Sequence, residues 1–391
     1  MNKRKVAAGF LSIAVAVALL APAAVADGRL DGDIAALSEL LAIPSVSGDV
    51  AANDKAIEWM RGYLEAGGVW CAVETWPVDG RKILYAATRQ GLKAPDYTLV
   101  THLDVVAAPK EQFSPRLEGR RLHARGACDT KGNAFCAAKA LIALNNSASV
   151  GCVFASDEEI GGNTTKHMVA LGYGVPGRLV LTLDCTGPTR DIWTACKGNA
   201  YYRVTARGKS GHSSCPDKCV NPHYILAEAA LRVRDRFPFQ KPGEWGNVAS
   251  VTVVSGGDSQ NRIPETAEMT VNVRFVEPDG LERHRKTIAD ITGLDTELIR
   301  GTPPGIGPDD DPELFRLRDV LKAAYPDNPW RFVKMSAATD ARYFTQFGKP
   351  LPMIGMDCAG GHSDVEWVNV DDIPRFTAML VEFLAGSPAA R

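Results

Sequence analysis

The sequence lacks a charge excess of either sign and has no basic run beyond its N-terminus. It contains 44 Lys and Arg against 46 Asp and Glu, which gives a formal net charge of −2. Nothing in this balance indicates nucleic-acid binding. Internal repeats and low-complexity segments are also missing. With 391 residues, 45% of them hydrophobic, the chain is long enough for a full core and longer than a single small domain requires.

A hydrophobic run begins close to the N-terminus. Residues 3–5 are basic, residues 6–20 are apolar, and Ala-Val-Ala at 24–26 is a small-residue cleavage site. This pattern predicts a secretory signal peptide over residues 1–26, cleaved after Ala26, and therefore an exported, periplasmic or secreted protein. A membrane anchor is the alternative, but the run is short for a membrane span and Pro22 interrupts its end. We expect no membrane anchor after cleavage.

Nine cysteines are present, and their spacing shows no clear disulfide framework. In an exported protein they could form disulfides, and an odd number leaves at least one thiol unpaired. Cys215 and Cys219 are close enough in sequence for a local bridge. Scattered buried thiols explain most of the nine equally well. Cys128 and Cys185 each stand next to an acidic residue, where we expect packing rather than metal ligation.

Residues 34–183 alternate between two kinds of hydrophobic pattern. Apolar residues three and four apart predict helices at 34–41, 51–64, 132–144 and 164–171. Short apolar runs between them predict strands at 83–88, 97–101, 150–155 and 179–183. Alternation of this kind predicts an α/β sheet covered by helices.

After Lys197 the pattern changes to half-exposed strands. The predicted element order over residues 198–301 is β-α-β-β-α-β, which is typical of a compact ferredoxin-like α+β unit. The segment GTPPGIGPDDDP at 301–312 is rich in Pro, Gly and Asp and marks its end. Helix and strand signals then resume. The sequence therefore predicts an α/β domain in two pieces, residues 27–197 and 302–391, with a smaller domain, residues 198–301, inserted between them.

Acidic residues and histidines follow several of the predicted strands. Three carboxylates in a row, residues 157–159 in VFASDEEIGG, end a buried strand, where repulsion and desolvation disfavour them unless a cation lies nearby. Ligand sites in α/β sheets lie at the carboxyl ends of strands. The polar groups with this placement are His102, Asp104, Asp129, Glu158, Glu159, Asp184 and, in a glycine-rich loop, His362. Imidazole and carboxylate together are a donor set that suits Zn²⁺.

Within this set, two pairs of neighbouring residues are predicted to have one member that binds a metal and one that has a different role. His102 and Asp104 are two residues apart, so on an extended backbone they share a face. Asp104 could accept the second ring N–H of His102 and so fix its tautomer. Glu158 and Glu159 are adjacent and point in different directions, so one could bind a metal while the other stays free to move a proton.

The ordered motifs resemble the co-catalytic zinc aminoacylase/carboxypeptidase family, which includes succinyl-diaminopimelate desuccinylase, acetylornithine deacetylase and bacterial glutamate carboxypeptidase. The resemblance covers nearly the whole chain after residue 26. It rests on the segments HLD, GACDTKG, DEEIGG, GKSGHSS, NRIPETAEMTVNVR, TDARY and GGHSD. It implies a zinc-peptidase catalytic domain made of the two outer pieces, with the inserted domain acting as a lid and dimerisation domain.

The resemblance also implies roles for individual residues. Two Zn²⁺ per chain, with Co²⁺ or Mn²⁺ as substitutes, would be held by His102, Asp129, Glu159, Asp184 and His362, with Asp129 bridging. Asp104 would orient His102, and Glu158 would be the general base. His212 of the inserted domain would reach the site of a partner subunit, which implies a homodimer. The expected substrate-binding residues are Asn261, Arg274 and Arg342; salt bridges are the alternative role for the two arginines.

The family resemblance leaves the substrate open. Asp184 stands where many deacylases and carboxypeptidases of the family have Glu, and Asp there is similar to the aminopeptidase and dipeptidase branches. TDAR and GGHSD are more similar to the desuccinylases and carboxypeptidases. We expect an exported dinuclear zinc hydrolase of the carboxypeptidase or dipeptidase type, which cleaves an amide bond in short peptides with a free carboxylate. An N-acyl-amino-acid deacylase is the alternative, and a non-catalytic binding protein on the same fold is the hypothesis from another class.

Overall fold

The computed structural model describes residues 23–184, 190–241 and 244–386. These ranges contain eight α-helices: α1 (Ala23–Leu41), α2 (Val50–Ala66), α3 (Lys131–Ala143), α4 (Asn163–Ala170), α5 (Pro222–Arg236), α6 (Gly280–Thr292), α7 (Pro312–Ala324) and α8 (Asp372–Leu384). Within the same ranges we find no helix with the length and hydrophobicity to cross a bilayer. Of the predicted signal peptide, residues 1–22 lie outside the described residues.

A nine-stranded mixed sheet has the order β1-β2-β6-β3-β7-β17-β8-β15, with β16 beside β8. The strands β3, β6 and β7 pair in parallel and are buried along their whole length, as expected of strands with helices on both faces. The nine strands are β1 (Trp70–Thr75), β2 (Lys82–Ala87), β3 (Tyr97–His102), β6 (Val150–Ala155), β7 (Leu179–Leu183), β8 (Ile192–Cys196), β15 (Gly305–Ile306), β16 (Phe332–Met335) and β17 (Met353–Ile354).

Helices cover both faces of this sheet. The larger core contains side chains of α1, α2, α3, α7 and α8, such as Ile57, Phe135 and Phe376. On the opposite face, Met168 of α4 and Phe344 of the 3-10 segment Asp340–Phe347 pack against Val100 and Val153. The sheet and its helices form the mixed α/β architecture that the sequence predicts.

A second sheet lies in the middle of the chain. Its four antiparallel strands have the order β11-β13-β9-β14. Every second residue of β9 and β13 is buried, and these residues pack against Leu226 of α5 and Ile288 of α6. The opposite face of the sheet is only partly covered. The strands are β9 (Gly198–Arg207), β11 (Val248–Gly256), β13 (Thr266–Phe275) and β14 (Asp295–Thr302).

Two small sheets complete the described strands. One has the order β18-β19-β5-β4 and joins a segment before α3 to the segment around His362. Its strands are β4 (Arg116–Glu118), β5 (Arg121–His123), β18 (Cys358–Ala359) and β19 (Trp367–Asn369). The other is a pair of two-residue strands, β10 (Gly211–His212) and β12 (Arg262–Ile263).

Candidate metal centre

One group of potential metal ligands lies at the carboxyl ends of β3 and β7. His102 is the last residue of β3, and Asp184 directly follows β7. Because these strands are parallel neighbours, their ends meet at the same sheet edge. His102 Nε2 lies 3.2 Å from Asp129 Oδ1 and 3.6 Å from Asp184 Oδ1. The three side chains can together hold one metal ion.

A second group of potential ligands shares Asp129 with the first. His362 Nε2 lies 3.0 Å from Glu159 Oε1 and 3.2 Å from Asp129 Oδ2. Each oxygen of the Asp129 carboxylate therefore faces a different histidine. The side chains of Asp129, Glu159 and His362 can hold one ion, so Asp129 is placed to bridge two. The five predicted ligands thus come together in two groups.

The electrostatics of both groups favour positive charge between the side chains. Burial opposes charge on His102, yet hydrogen bonds to Asp104, Asp129 and Asp184 hold its pKa well above the usual value. Hydrogen bonds to Asp129 and Glu159 raise the pKa of His362 to about 10. Although burial also opposes charge on Asp129, hydrogen bonds from the two histidines hold its pKa below the usual range. Carboxylates and imidazoles arranged in this way fit divalent cations such as zinc.

Asp104 links His102 to the turn that contains the two glutamates. The ring atom Nδ1 of His102 lies 2.9 Å from the Asp104 backbone oxygen and 3.6 Å from its Oδ1. The backbone N–H groups of Glu158 and Glu159 donate to the fully buried Asp104 carboxylate at 3.0 and 3.2 Å. The Ser47 hydroxyl donates to it at 2.7 Å. Sequence analysis did not single out Ser47, because it lies 57 residues from Asp104.

Glu158 belongs to neither ligand group. It is partly buried at the start of the same turn and lines a cavity of about 730 Å³ together with Glu159 and His362. Burial, reinforced by the charge of Asp340, raises its pKa well above the usual value. A carboxyl group with a raised pKa, placed beside a metal site, is suited to accept and return a proton.

Glu366 holds the backbone of Asp129, the shared ligand, and no sequence motif pointed to this role. Its Oε1 accepts the backbone N–H groups of Cys128 and Asp129, each at 2.9 Å. Its Oε2 pairs with Arg125 at 2.5 Å, and both side chains are buried. Glu366 lies in the segment GGHSDVEW, but nothing in that segment shows that its carboxylate contacts residues 237 and 238 positions away.

A disulfide joins Cys128 to Cys358, which corrects the expectation that Cys128 only packs beside the metal site. The two Cα atoms are 5.2 Å apart, and the cysteines are separated by 230 residues in sequence. The bridge connects the residue before Asp129 to β18, shortly before His362. Cys215 and Cys219 are both free thiols, so the structure does not contain the local bridge considered for them. Cys185 lies outside the described residues.

The predicted substrate-binding and partner-site residues occupy two different places. Arg274 lines the same cavity as Glu158. Arg342 also lines it but is buried, with Nη2 donating to the Gly161 backbone oxygen at 2.8 Å and lying 3.4 Å from Asp340 Oδ1. His212 and Asn261 lie near each other at the β10–β12 pair and do not line this cavity. The structure therefore does not bring them to the metal site of their own chain.

Comparison with known proteins identifies the family. The sequence model of peptidase family M20/M25/M40 matches residues 98–386, about three quarters of the chain. The chain belongs to this family. It is therefore a hydrolase of the peptidase or deacylase type, and the predicted resemblance and the predicted hydrolase class are both confirmed.

Relatives in the M20 family are similar over most of their length. The chain is 28% identical over 383 residues to acetylornithine deacetylase of Myxococcus xanthus, covering 90% of this chain and 96% of that protein. Aminopeptidase PepT of Bacillus cereus ATCC 10987 is similar in fold, with a TM-score of 0.70, 16% identity, and coverage of 92% and 98% of the two chains. The Bacillus subtilis YXEP protein, described as a dinuclear metal binding peptidase, has a TM-score of 0.63 at 15% identity and coverage of 92% and 99%.

Proposed function

We propose that this M20-family chain is an exported dinuclear zinc hydrolase that cleaves an amide bond in short peptides with a free carboxylate, in the manner of a carboxypeptidase or dipeptidase. The observation that carries the proposal is the pair of ligand groups sharing Asp129, together with Glu158, which belongs to neither group and lines one cavity with Glu159 and His362. Co²⁺ or Mn²⁺ could replace zinc, because the donor set is imidazole and carboxylate.

The chain's own residues have distinct tasks in this reaction. Bound zinc ions would polarise the scissile carbonyl and acidify a water molecule. Glu158 takes the proton of the attacking water and returns it to the leaving amine. The Asp104 carboxylate, by accepting the backbone N–H groups of Glu158 and Glu159, keeps the base and the adjacent ligand in fixed positions. Arg274, which lines the same cavity, would hold the substrate carboxylate.

We also propose that the four-stranded sheet with α5 and α6 is the inserted, ferredoxin-like lid over residues 198–301, and that it forms a homodimer. Two of its surfaces support this assignment. The edge strand β11 exposes Val253 and Val254, and α5 exposes Tyr224 and Leu231, all by half or more of their area. Exposed apolar side chains in such a patch are typical of an interface. Since His212 lies away from its own cavity, a partner subunit is the place where it could stabilise an oxyanion.

A second candidate function is N-acyl-amino-acid deacylation. The observation in its favour is the 28% identity over nearly the full chain to a protein named acetylornithine deacetylase. Both reactions break an amide bond next to a free carboxylate, so the same ligand groups and the same base serve either one. The difference lies in the group on the far side of the scissile bond.

The experiment that tests the proposed function compares the chain from Asp27 onward with its Glu158→Gln variant. Bound zinc is counted, and turnover is measured on dipeptides, C-terminal glutamyl and aspartyl peptides, and N-acyl amino acids. We expect two zinc ions in both proteins and a loss of kcat by about 100-fold or more in the variant, because only the base is removed. The matched control is Glu65→Gln, because Glu65 is exposed; this variant should change neither the bound zinc nor kcat.

Three other outcomes have defined meanings. Turnover confined to N-acyl amino acids would favour the deacylase. Two zinc ions without turnover on any substrate would favour the binding protein. Absence of bound zinc would contradict the assignment of both ligand groups.

A further inference from the structure

One wall of the cavity lined by Glu158, Glu159 and His362 is cationic. It is formed by the face of the second sheet that α5 and α6 do not cover, and it includes Asn199, Tyr201, Arg274 and Arg300. Tyr201 pairs in register with Arg300 of β14, and Asn199 pairs with Arg274 of β13. The register of three strands therefore brings these four side chains to one end of one sheet face.

Within the part of the chain that the structure describes, the two arginines of this wall have no acidic partner, whereas a neighbouring arginine on the same face has two. Two residues along β9 from Tyr201, Arg203 lies 3.0 Å from Glu297 and 3.5 Å from Glu268, one on each adjacent strand. Among the described residues, neither Arg274 nor Arg300 has a carboxylate oxygen within 4.0 Å of its guanidinium. The carboxylates of the sheet thus neutralise Arg203, which lies outside the cavity. The positive charges of Arg274 and Arg300, which line the cavity, are not neutralised by them.

Arg300 is nevertheless held in a defined position. Its guanidinium carbon lies 4.4 Å from the centroid of the Tyr201 ring, which is a cation–π contact. The Asn199 side chain, together with the charges of Arg274 and Arg300, holds the pKa of the Tyr201 phenol below its usual value. The Asn199 Oδ1 accepts from Asn272 at 2.6 Å, which fixes the amide beside the phenol. The wall is therefore a preorganised arrangement of donors rather than a single mobile side chain.

We propose that Arg300, positioned by Tyr201, is a second anion-binding subsite that selects substrates with a second carboxylate in addition to the one held by Arg274. This inference rests on the proposed function, because it places the scissile bond between the metal centre and this wall. Two uncompensated guanidinium groups in one cavity are matched by a dianion, and a planar guanidinium binds a carboxylate through two hydrogen bonds. The second carboxylate could be the side chain of a C-terminal acidic residue or the end of a dicarboxylic N-acyl group.

The test measures a preference rather than a rate. We compare kcat/KM for Ala-Glu with Ala-Gln, and for N-succinyl-alanine with N-butanoyl-alanine, in the wild type and in Arg300→Gln. We expect the wild type to prefer the dianion in one of the two pairs, and that pair identifies the source of the carboxylate. In Arg300→Gln the ratio should fall by about tenfold or more, because a charge-assisted hydrogen bond is lost.

The control is Arg207→Gln, because Arg207 is an exposed arginine of the same sheet, on β9, and does not line the cavity. Its preference ratio should equal that of the wild type. Tyr201→Phe, which keeps the ring beneath Arg300, should reduce the ratio by less than Arg300→Gln. A wild type without preference for the dianion in either pair, or an unchanged ratio in Arg300→Gln, would overturn the subsite.

A binding measurement separates failure of the subsite from failure of the proposed function. If none of the four substrates is hydrolysed, the result contradicts the proposed function but leaves the subsite to be tested by binding. The zinc-loaded protein is then titrated with glutarate and with butanoate. Tighter binding of glutarate that Arg300→Gln abolishes would still support the subsite, and equal binding of the two acids would refute it.

Discussion

Two glutamates of this chain show how the surroundings of a residue decide its role. Burial and the charge of Asp340 raise the pKa of Glu158, which suits a group that exchanges protons. Glu277 accepts hydrogen bonds from Asn247 at 2.7 Å and from His284 at 3.2 Å. Although burial opposes its charge, these bonds hold its pKa below the usual value. The ionised carboxylate of Glu277 therefore contributes to the stability of the folded state.

Glu277→Gln should destabilise the protein in a way that depends on pH. A carboxyl whose pKa is lower in the folded state adds stability above its unfolded pKa, near 4.3, and loses it as the pH falls through the folded value. We expect the variant to lose about 1 kcal/mol in the free energy of unfolding at pH 7. The difference should shrink at pH 4. Urea unfolding at both values measures it.

The control for this change is Glu265→Gln, because Glu265 is exposed. It should leave the free energy of unfolding unaltered at both values. A loss for Glu277→Gln that stays constant between pH 7 and pH 4 would show that its charge does not contribute.

At the scale of elements, the turn after β6 is shaped by its glycines and held by a distant segment. Gly161 and Gly162 have φ angles of 130° and 63°, which favour glycine. Arg342 Nη2 and Tyr343 Oη donate to the Gly161 backbone oxygen at 2.8 and 2.5 Å. The 3-10 segment Asp340–Phe347 thereby fixes the turn that contains Glu158 and Glu159.

Gly162→Ala should disturb both stability and catalysis. A Cβ atom at this position would collide with the Asp340 carboxylate, in addition to the strain of a positive φ. We expect a cost of about 1–3 kcal/mol beyond that strain, since overpacking a buried site has this size. The turnover number should fall as well, because Glu158 moves with the turn. Unfolding and steady-state kinetics measure the two effects.

Gly91→Ala is the matched comparison for this prediction. Gly91 has a φ angle of 72°, and an added Cβ would meet no atom within 4 Å. This variant reports the cost of the backbone angle alone and should retain its turnover number. Equal losses of stability in the two variants would rule out the collision as the cause.

Sequence patterns identified elements where burial is regular and missed them where it is not. The alternation in β9 and β13 predicted two strands, because each buries every second residue. The edge strand β1 was not predicted, since almost all of its residues are partly buried and give no clear period. The 3-10 segment Asp340–Phe347 has helical spacing, so the sequence did not distinguish it from an α-helix.

The metal-ligand residues of the candidate site were predictable from the sequence, but the distant residues that support them were not. Ligands at the ends of β3 and β7 follow from the rule that parallel strands meet at one edge. The contacts of Glu366 with the backbone of Cys128 and Asp129, and the disulfide with Cys358, join segments more than 200 residues apart. No local pattern reports such contacts.

At the scale of the whole molecule, the edge of the second sheet exposes an unpaired strand with apolar side chains. Strand β11 pairs on one side with β13 and leaves its other edge unpaired in the described sheet. Val253 and Val254 are 53% and 60% exposed on it. Natural proteins usually protect such edges with charge, so an apolar one is consistent with the proposed homodimer.

Val253→Lys should convert the proposed dimer into a monomer. A lysine on an edge strand opposes strand-to-strand association. We expect the mass from light scattering to halve and the bound metal to stay constant. The turnover number should fall by about 100-fold if His212 completes the site of the partner, as for loss of one oxyanion donor.

The comparison variant is Leu117→Lys, on the edge strand β4 of another sheet, where Leu117 is 50% exposed. It should change neither mass nor turnover. A wild-type protein that is already monomeric at working concentration would contradict the homodimer.

The two ligand groups also set the order in which a newly made chain can become competent. The five ligand positions run from His102 to His362, so the chain must be synthesised almost to its end before the second group can close. His102, Asp129 and Asp184 are all present when less than half of the chain has been made, but Glu366, which holds the backbone of Asp129, is not. A chain that stops before His362 would lack a ligand of the second group and also the Glu366 carboxylate that holds Asp129, the ligand shared by both groups. Completeness of translation is therefore a condition for forming both ligand groups.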